Sequence, residues 1–162
     1  MIEKRGAAPA ALVARVRRIC MALPQVVEEV AWVGTRWRVR KHTFAHVLAV
    51  QAGRPPAYAQ ALGRWRALAQ PEGAADAAVS VLTFRSPLCA LNVHAFDRPP
   101  FFKPPWFADI AGVVLDAHTE WPEVEALLRD SWRHLAPKAL VLAQGHGHGH
   151  GHGHGHGQAR RS

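Results

Sequence analysis

The sequence has few cysteines and no long apolar run. Its two cysteines, Cys20 and Cys89, are too few for a disulfide framework and lie in no metal-binding spacing. No stretch approaches the ~20 apolar residues that cross a bilayer, and arginines near the amino terminus interrupt any signal-peptide core. We therefore expect a cytoplasmic protein without a membrane partner.

The familiar catalytic and cofactor-binding motifs are also absent. The sequence has no glycine-rich dinucleotide fingerprint, no phosphate loop ending in Gly-Lys-Ser/Thr, no paired cysteines in zinc spacing and no HExxH. Ser86 and Ser131 lack the sequence context of a hydrolase nucleophile. These absences predict a protein that is not an enzyme and that holds no cofactor and no metal in its folded domain.

Apolar residues are abundant, whereas positive charge is concentrated in one half of the chain. Hydrophobic residues make up 49% of the 162 residues, enough for one folded domain, which we place at 7–143. Residues 1–66 contain 12 basic and 3 acidic side chains, whereas 67–162 contain 8 basic and 9 acidic ones. The basic half is typical of a protein that attracts nucleic acid or another polyanion, although solubility alone explains it equally well.

The composition of the carboxyl-terminal segment 144–162 predicts a disordered tail. Glycine and histidine alternate from Gly145 to Gly157, and almost no apolar residue is available for burial. The alternating imidazoles can take up Ni²⁺, Zn²⁺ or Cu²⁺ in many registers, without the fixed geometry of an evolved site. We expect adventitious divalent metal at this tail, which is either a purification tag or a natural metal-buffering segment.

Hydrophobic periodicity predicts an α+β fold. Leu12, Val16 and Ile19 recur at helical spacing, which predicts a helix over 8–22 that Pro24 ends. An antiparallel sheet backed by helices on one face is the expected architecture. The other predicted elements are a hairpin of strands near 35–40 and 43–50, strands at 79–84 and 110–116, a short helix at 87–96 and a long helix at 120–134; a helix near 58–65 is left open.

Alternating arginines form the first candidate site. In the segment RWRVRK (36–41), a strand would place three arginines on one face and Trp37 on the core-facing side. Such a row can contact the phosphates of DNA. The alternative is a solvated sheet face whose arginines pair with Glu28, Glu29 or another local acid. The cations of this candidate DNA-binding site are Arg36, Arg38, Arg40 and Lys41.

Two histidines of the same hairpin permit a metal site. His42 and His46 would share one face of a regular strand, but no third ligand is obvious. Exposed or core-edge histidines are the expected explanation.

The proline-rich segment PPFFKPPW (99–106) forms the second candidate site. Its prolines stiffen the chain, and its aromatic side chains either stack on a ligand or close the end of the core. We expect Trp106 to close the core. In the alternative, Trp37 and Trp106 line an aromatic ligand pocket in which Lys103 is the polar anchor.

A series of motifs follows a fixed order along the chain: ALPQVVEEVAW (22–32), RWRVRKHTFAHV (36–47), VLTFRSP (81–87), PPFFKPPW (99–106), VVLD (113–116), EWPEVEALLRDSW (120–132) and APKAL (136–140). At these residues the sequence resembles the MmcQ/YjbR family over about 10–142. The resemblance implies DNA binding and a compact α+β unit similar to the bacterial frataxin fold. The chain departs from the family at Arg40, Lys41 and His42, where relatives often have a glycine turn.

Two functions are therefore expected to compete. The first is a monomeric, non-enzymatic DNA-binding protein whose basic strand contacts phosphates. With about four phosphate contacts to duplex DNA, log K should fall against log salt with a slope of roughly −3 to −4. The alternative is a small-ligand or protein-interaction domain that uses the aromatic, proline-rich loop.

Overall fold

The computed structural model describes residues 6–144, and the predicted tail lies outside them from residue 145 on. The elements along the chain are α1 (Ala10–Met21), β1 (Val26–Val30), β2 (Thr35–Val39), β3 (His42–Val50), α2 (Pro56–Ala61), α3 (Gly63–Ala69), β4 (Val79–Arg85), α4 (Pro87–Leu91), β5 (Phe101–Phe102), β6 (Ile110–Leu115) and α5 (Trp121–Leu135). The strands form one antiparallel sheet in the order β1-β2-β3-β4-β6-β5. Within 6–144, no helix has the length and apolar character that a bilayer span requires.

The predicted α+β class and antiparallel sheet are confirmed, as are the first and last helices, the hairpin and strands β4 and β6. The short helix predicted at 87–96 ends at Leu91, because Asn92 is extended. Strands β1 and β5 were not predicted from the sequence. In β1 the adjacent Glu28 and Glu29 interrupt the apolar alternation, which an edge strand with one neighbour tolerates.

One face of the sheet, called here the inner face, packs against α1 and α5 and holds the main core. Trp37, Phe44, Phe84 and Trp132 are buried there. The indole Nε1 of Trp132 donates a hydrogen bond to the carbonyl of Pro24 at 3.1 Å, which fixes α5 beside the end of α1. The inner face therefore holds the main core of the fold.

Small polar side chains in this core have structural roles. Cys20 and Cys89 are buried, and burial raises the pKa of both thiols, so they behave as small apolar residues. The hydroxyl of Ser131 donates to the Phe44 carbonyl at 2.6 Å and accepts the Arg85 amide N–H at 2.8 Å. Ser131 thus joins α5 to β3 and β4.

The opposite face, called here the outer face, is covered in part by α2 and α3. Leu62 and Trp65 are buried against Leu48 and Val81 of the sheet. The sequence predicted helices on one face of the sheet; in the structure, α2 and α3 also cover part of the second face. The helix left open near 58–65 is divided in two, and the second piece begins at Gly63.

The two phenylalanines of the proline-rich loop pack on opposite faces of the sheet. Phe101 packs against the inner core, whereas Phe102 is buried in the outer cluster and pairs with Gly112 of β6. A Cβ atom on Gly112 would overlap the Phe102 ring. Phe102, rather than the predicted Trp106, therefore closes this end of the core.

Candidate nucleic acid interface

The outer face changes from apolar to polar along its strands. The outward residues Leu48 of β3 and Val81 of β4 lie under α2 and α3. Toward the other end of the same strands, the outward positions carry hydroxyl, imidazole and guanidinium groups. We call these residues the outer polar patch: Arg36, Arg38, Thr43, His46, Thr83 and Arg85.

The register of β2 places its arginines on the outer face, as the alternation predicts. Arg36 pairs with His46, and Arg38 pairs with Thr43, across the β2–β3 ladder. The intervening Trp37 is fully buried on the inner face. The two arginine side chains keep 40% and 34% of their surface exposed, so part of each side chain is accessible to a ligand.

The turn between β2 and β3 presents two further cations. Arg40 and Lys41 form this two-residue turn, and both are exposed. Arg40 has a φ of 57°, in the left-handed region that favours glycine. The hairpin is therefore tight although it lacks a glycine, and both cations extend the row of positive charge at the edge of the outer polar patch.

Glu29 shares the outer face with the arginines. Its carboxylate accepts a hydrogen bond from Arg36 and lies 3.6 Å from the Arg38 guanidinium. The local acid that the sequence allowed as an alternative is thus present beside two of the cations. Glu28 points to the other side, where it binds Arg17 at 2.7 Å, and this ion pair lowers the pKa of the Glu28 carboxyl.

A cavity of about 430 Å³ opens over the outer polar patch. Trp32 from the β1–β2 loop, Tyr58 from α2 and Trp106 from the proline-rich loop line it, together with polar side chains of the sheet. Sequence reasoning identified Trp106 and missed the other two aromatic residues. Their approach depends on the strand order, since the three segments are distant along the chain.

Hydrogen bonds and ring contacts fix the aromatic wall of the cavity. His46 Nε2 lies 2.6 Å from the Val33 carbonyl, and its Nδ1 lies 3.3 Å from the Tyr58 hydroxyl. Tyr58 in turn packs edge-on against Trp106, with 5.1 Å between ring centroids. Burial lowers the pKa of His46, and the nearby Arg36 adds to this. A neutral imidazole that donates from Nε2 and accepts at Nδ1 satisfies both contacts.

Acid should destabilise the protein through His46. Because its folded-state pKa is lowered, the unfolded chain binds more protons below pH ~6.5, and stability falls as pH decreases through that value toward the folded pKa. We expect the free energy of unfolding to fall by up to about 1.4 kcal/mol per pH unit in this window. Urea unfolding at pH values from about 7.5 to about 5.5 measures this change in the free energy of unfolding.

Two matched variants isolate that effect. His46→Gln keeps a donor for the Val33 carbonyl and should flatten the pH dependence. His42→Gln, which changes an exposed histidine of the same strand, should leave it unchanged. Equal slopes for the wild type and His46→Gln would show that His46 does not carry the proton linkage.

Trp32 is held in solvent by a structured turn. Its indole is fully exposed, although large aromatic side chains are usually buried in part. The Ala31 N–H donates to the Gly34 carbonyl at 3.0 Å, and Gly34 has a φ of 77°. A Cβ on Gly34 would overlap the Val47 carbonyl, so the turn lies directly on β3. The exposure of Trp32 is therefore built into the fold.

Two of the three predicted pocket residues do not line this cavity. Trp37 lies in the inner core, on the other side of the sheet, because strand alternation separates it from the arginines. Lys103 Nζ donates to the carbonyls of Pro104 and Phe107, at 2.5 and 2.7 Å. Lys103 therefore braces its own loop instead of anchoring a ligand, and the half-buried Trp106 lines the cavity.

The predicted common face of His42 and His46 is wrong. The β2–β3 register shifts between Trp37 and Arg38, and Phe44 has no partner across the ladder. This irregularity reverses the alternation, so that His42 pairs with the inward-facing Val39. Among residues 6–144, no group of three or more His, Cys, Asp or Glu side chains is arranged to hold a metal ion.

A second cationic surface lies on the other side of the sheet, in the groove between α1 and α5. Four arginines line it, and Arg15 stacks over the Trp121 ring at 4.6 Å. Two of the four pair with acids of their own helix, at 3.3 Å. We call this the α1–α5 groove, and its arginines are Arg15, Arg18, Arg129 and Arg133.

Known protein families and curated proteins offer no match to this chain. Function is therefore inferred from the geometry of the outer face together with the sequence motifs.

Proposed function

We propose that the protein is a non-enzymatic DNA-binding protein and that the outer face of its sheet contacts the nucleic acid. Phosphates lie along the row formed by Arg36, Arg38, Arg40 and Lys41. Membership of the MmcQ/YjbR family is part of this proposal, supported by the order of motifs along the sequence.

The observation that carries the proposal is a row of cations beside an aromatic cavity on one face of the sheet. Arg36 belongs to both, since it lines the cavity and begins the row. Arg38 continues the row, and 34% of its side-chain surface is exposed.

The alternative function is a small-ligand or protein-interaction domain. The cavity supports it, because three aromatic side chains and a few polar groups are typical of ligand pockets. The adjoining cations favour the nucleic acid, because a small ligand in the cavity leaves Arg40 and Lys41 without a role. The α1–α5 groove is the competing basic surface.

Glu29 provides the sharpest test of the phosphate row. If Arg36 and Arg38 bind phosphate, the Glu29 carboxylate competes for them, and Glu29→Gln should tighten DNA binding by about fivefold, the equivalent of ~1 kcal/mol. Glu72→Gln removes the same charge from an exposed loop and should change affinity little. Fluorescence anisotropy with labelled duplex DNA over a salt series measures both variants.

The tail must not contribute to this comparison. We would use the full chain at pH ~8, where histidines are neutral, with a chelator present and with Arg160→Gln and Arg161→Gln in every protein. Unchanged affinity in Glu29→Gln would mean that Arg36 and Arg38 serve only as partners of Glu29. No binding at low salt by the starting protein would contradict DNA binding altogether.

A further inference from the structure

We propose that the cavity bounded by Trp32, Tyr58 and Trp106 holds one unpaired base of a single-stranded nucleic acid. The inference rests on the proposed function and assigns a substrate class to the same face: strands with accessible bases, in preference to a duplex.

The exposed Trp32 is the first observation behind this assignment. Because the Trp32 side chain is fully exposed, it lacks the burial that stabilises most tryptophans. The tight turn from Ala31 to Gly34 holds it in place. An indole presented in this way offers a flat apolar surface beside the cavity. Base stacking on aromatic side chains uses such a surface and is tolerant of sequence.

The other two aromatic side chains of the cavity are already held in place. Tyr58 is held by its hydroxyl against His46 and by its ring against Trp106. Pro104 and Pro105 precede Trp106 and limit the conformations of the chain that carries it. Binding therefore requires little ordering of these side chains, which reduces the entropic cost of holding a base.

Two polar groups of the floor are already engaged within the protein, which favours stacking over the reading of base edges. Both ring nitrogens of His46 are used within the protein, and Arg85 binds Asp109 at 2.6 Å. Arg36 lines the cavity and also begins the phosphate row. A base in the cavity with its phosphate beside Arg36 uses both parts of the outer face, with little sequence preference.

Duplex DNA cannot fill this cavity without disruption. In a duplex each base is stacked on its neighbours, and its faces become available only when it is unpaired or flipped out. A single strand presents those faces at no such cost. The cavity therefore favours single strands, whereas the phosphate row accepts either form.

The test compares two labelled strands of about ten nucleotides with the same number of phosphates: oligothymidylate and an abasic strand. We expect the full chain to bind oligothymidylate about tenfold more tightly, the effect of stacking one base. The affinity for a duplex of equal length, which offers no free base face, should not change in Trp32→Ala. Trp32→Ala and Trp106→Ala should each abolish most of the difference and leave the abasic affinity unchanged.

Trp121→Ala is the matched control, because it removes a half-buried tryptophan from the α1–α5 groove. It should preserve the tenfold preference. Trp32→Ala carries the test if Trp106→Ala fails to fold, since Trp32 is fully exposed. Equal affinities for oligothymidylate and the abasic strand would overturn the base site and leave phosphate binding intact, whereas no binding to either strand would overturn the proposed function as well.

Discussion

Replacing Phe102 by alanine should lower the free energy of unfolding by about 3–5 kcal/mol, the usual cost of removing a buried aromatic ring. Phe102 is 3% exposed and fills the space above Gly112 in the outer cluster. The matched control is Phe107→Ala, which removes an exposed ring from the neighbouring segment and should cost about 1 kcal/mol or less. Urea unfolding measures both.

Gly112 gives the same prediction an internal check. Gly112→Ala should cost about 1–3 kcal/mol in the wild type, because the added methyl group overlaps the Phe102 ring. In the Phe102→Ala background the ring is gone, and the same substitution should cost less than about 1 kcal/mol. Strictly additive costs would show that Phe102 and Gly112 do not meet in solution.

The second large effect concerns DNA affinity. Changing Arg36, Arg38 and Arg40 together to glutamine should weaken DNA binding by about a hundredfold, from roughly fivefold per lost contact. The slope of log K against log salt should fall in magnitude from about 3–4 to about 1, since one phosphate contact is left. Anisotropy over a salt series gives both quantities.

Stability should change much less than binding in this triple variant. Arg36 and Arg38 pair with a carboxylate that is itself partly exposed, such pairs contribute about 0–1 kcal/mol each, and Arg40 is exposed. The charge-matched control changes Arg54, Arg64 and Arg66 to glutamine, since these lie on or near α2 and α3 and outside the proposed row. An equal loss of affinity in this control would show that the net charge of the protein, and not the position of the arginines, determines DNA binding.

Periodicity predicted the elements that bury one regular face. Leu12, Val16 and Ile19 of α1 lie toward the core, and the alternation of Trp37 with the arginines of β2 gave the correct faces. These predictions succeed because burial on one side of an element imposes a period on the sequence. The same rule failed at His42, where the irregularity at Phe44 changes the alternation.

The cavity was harder to predict because strand order assembles it. Nothing local relates Trp32 to Tyr58 or Trp106, and the proline-rich loop gave no indication that Trp106 faces the outer side. One signal was present: the outward positions of β4 change from valine to Thr83 and Arg85. Where the outward residues of a strand change from apolar to polar, the helices that cover that face of the sheet end.

Mapping the bound nucleic acid by NMR tests the outer face most directly. The six tryptophan indole N–H groups are internal reporters on both sides of the sheet. On titration of the isotope-labelled full chain with oligothymidylate, the signals of Trp32 and Trp106 and of the β2–β3 turn should shift first. Shifts confined to Trp121, Arg15 and the rest of the α1–α5 groove would contradict binding at the outer face.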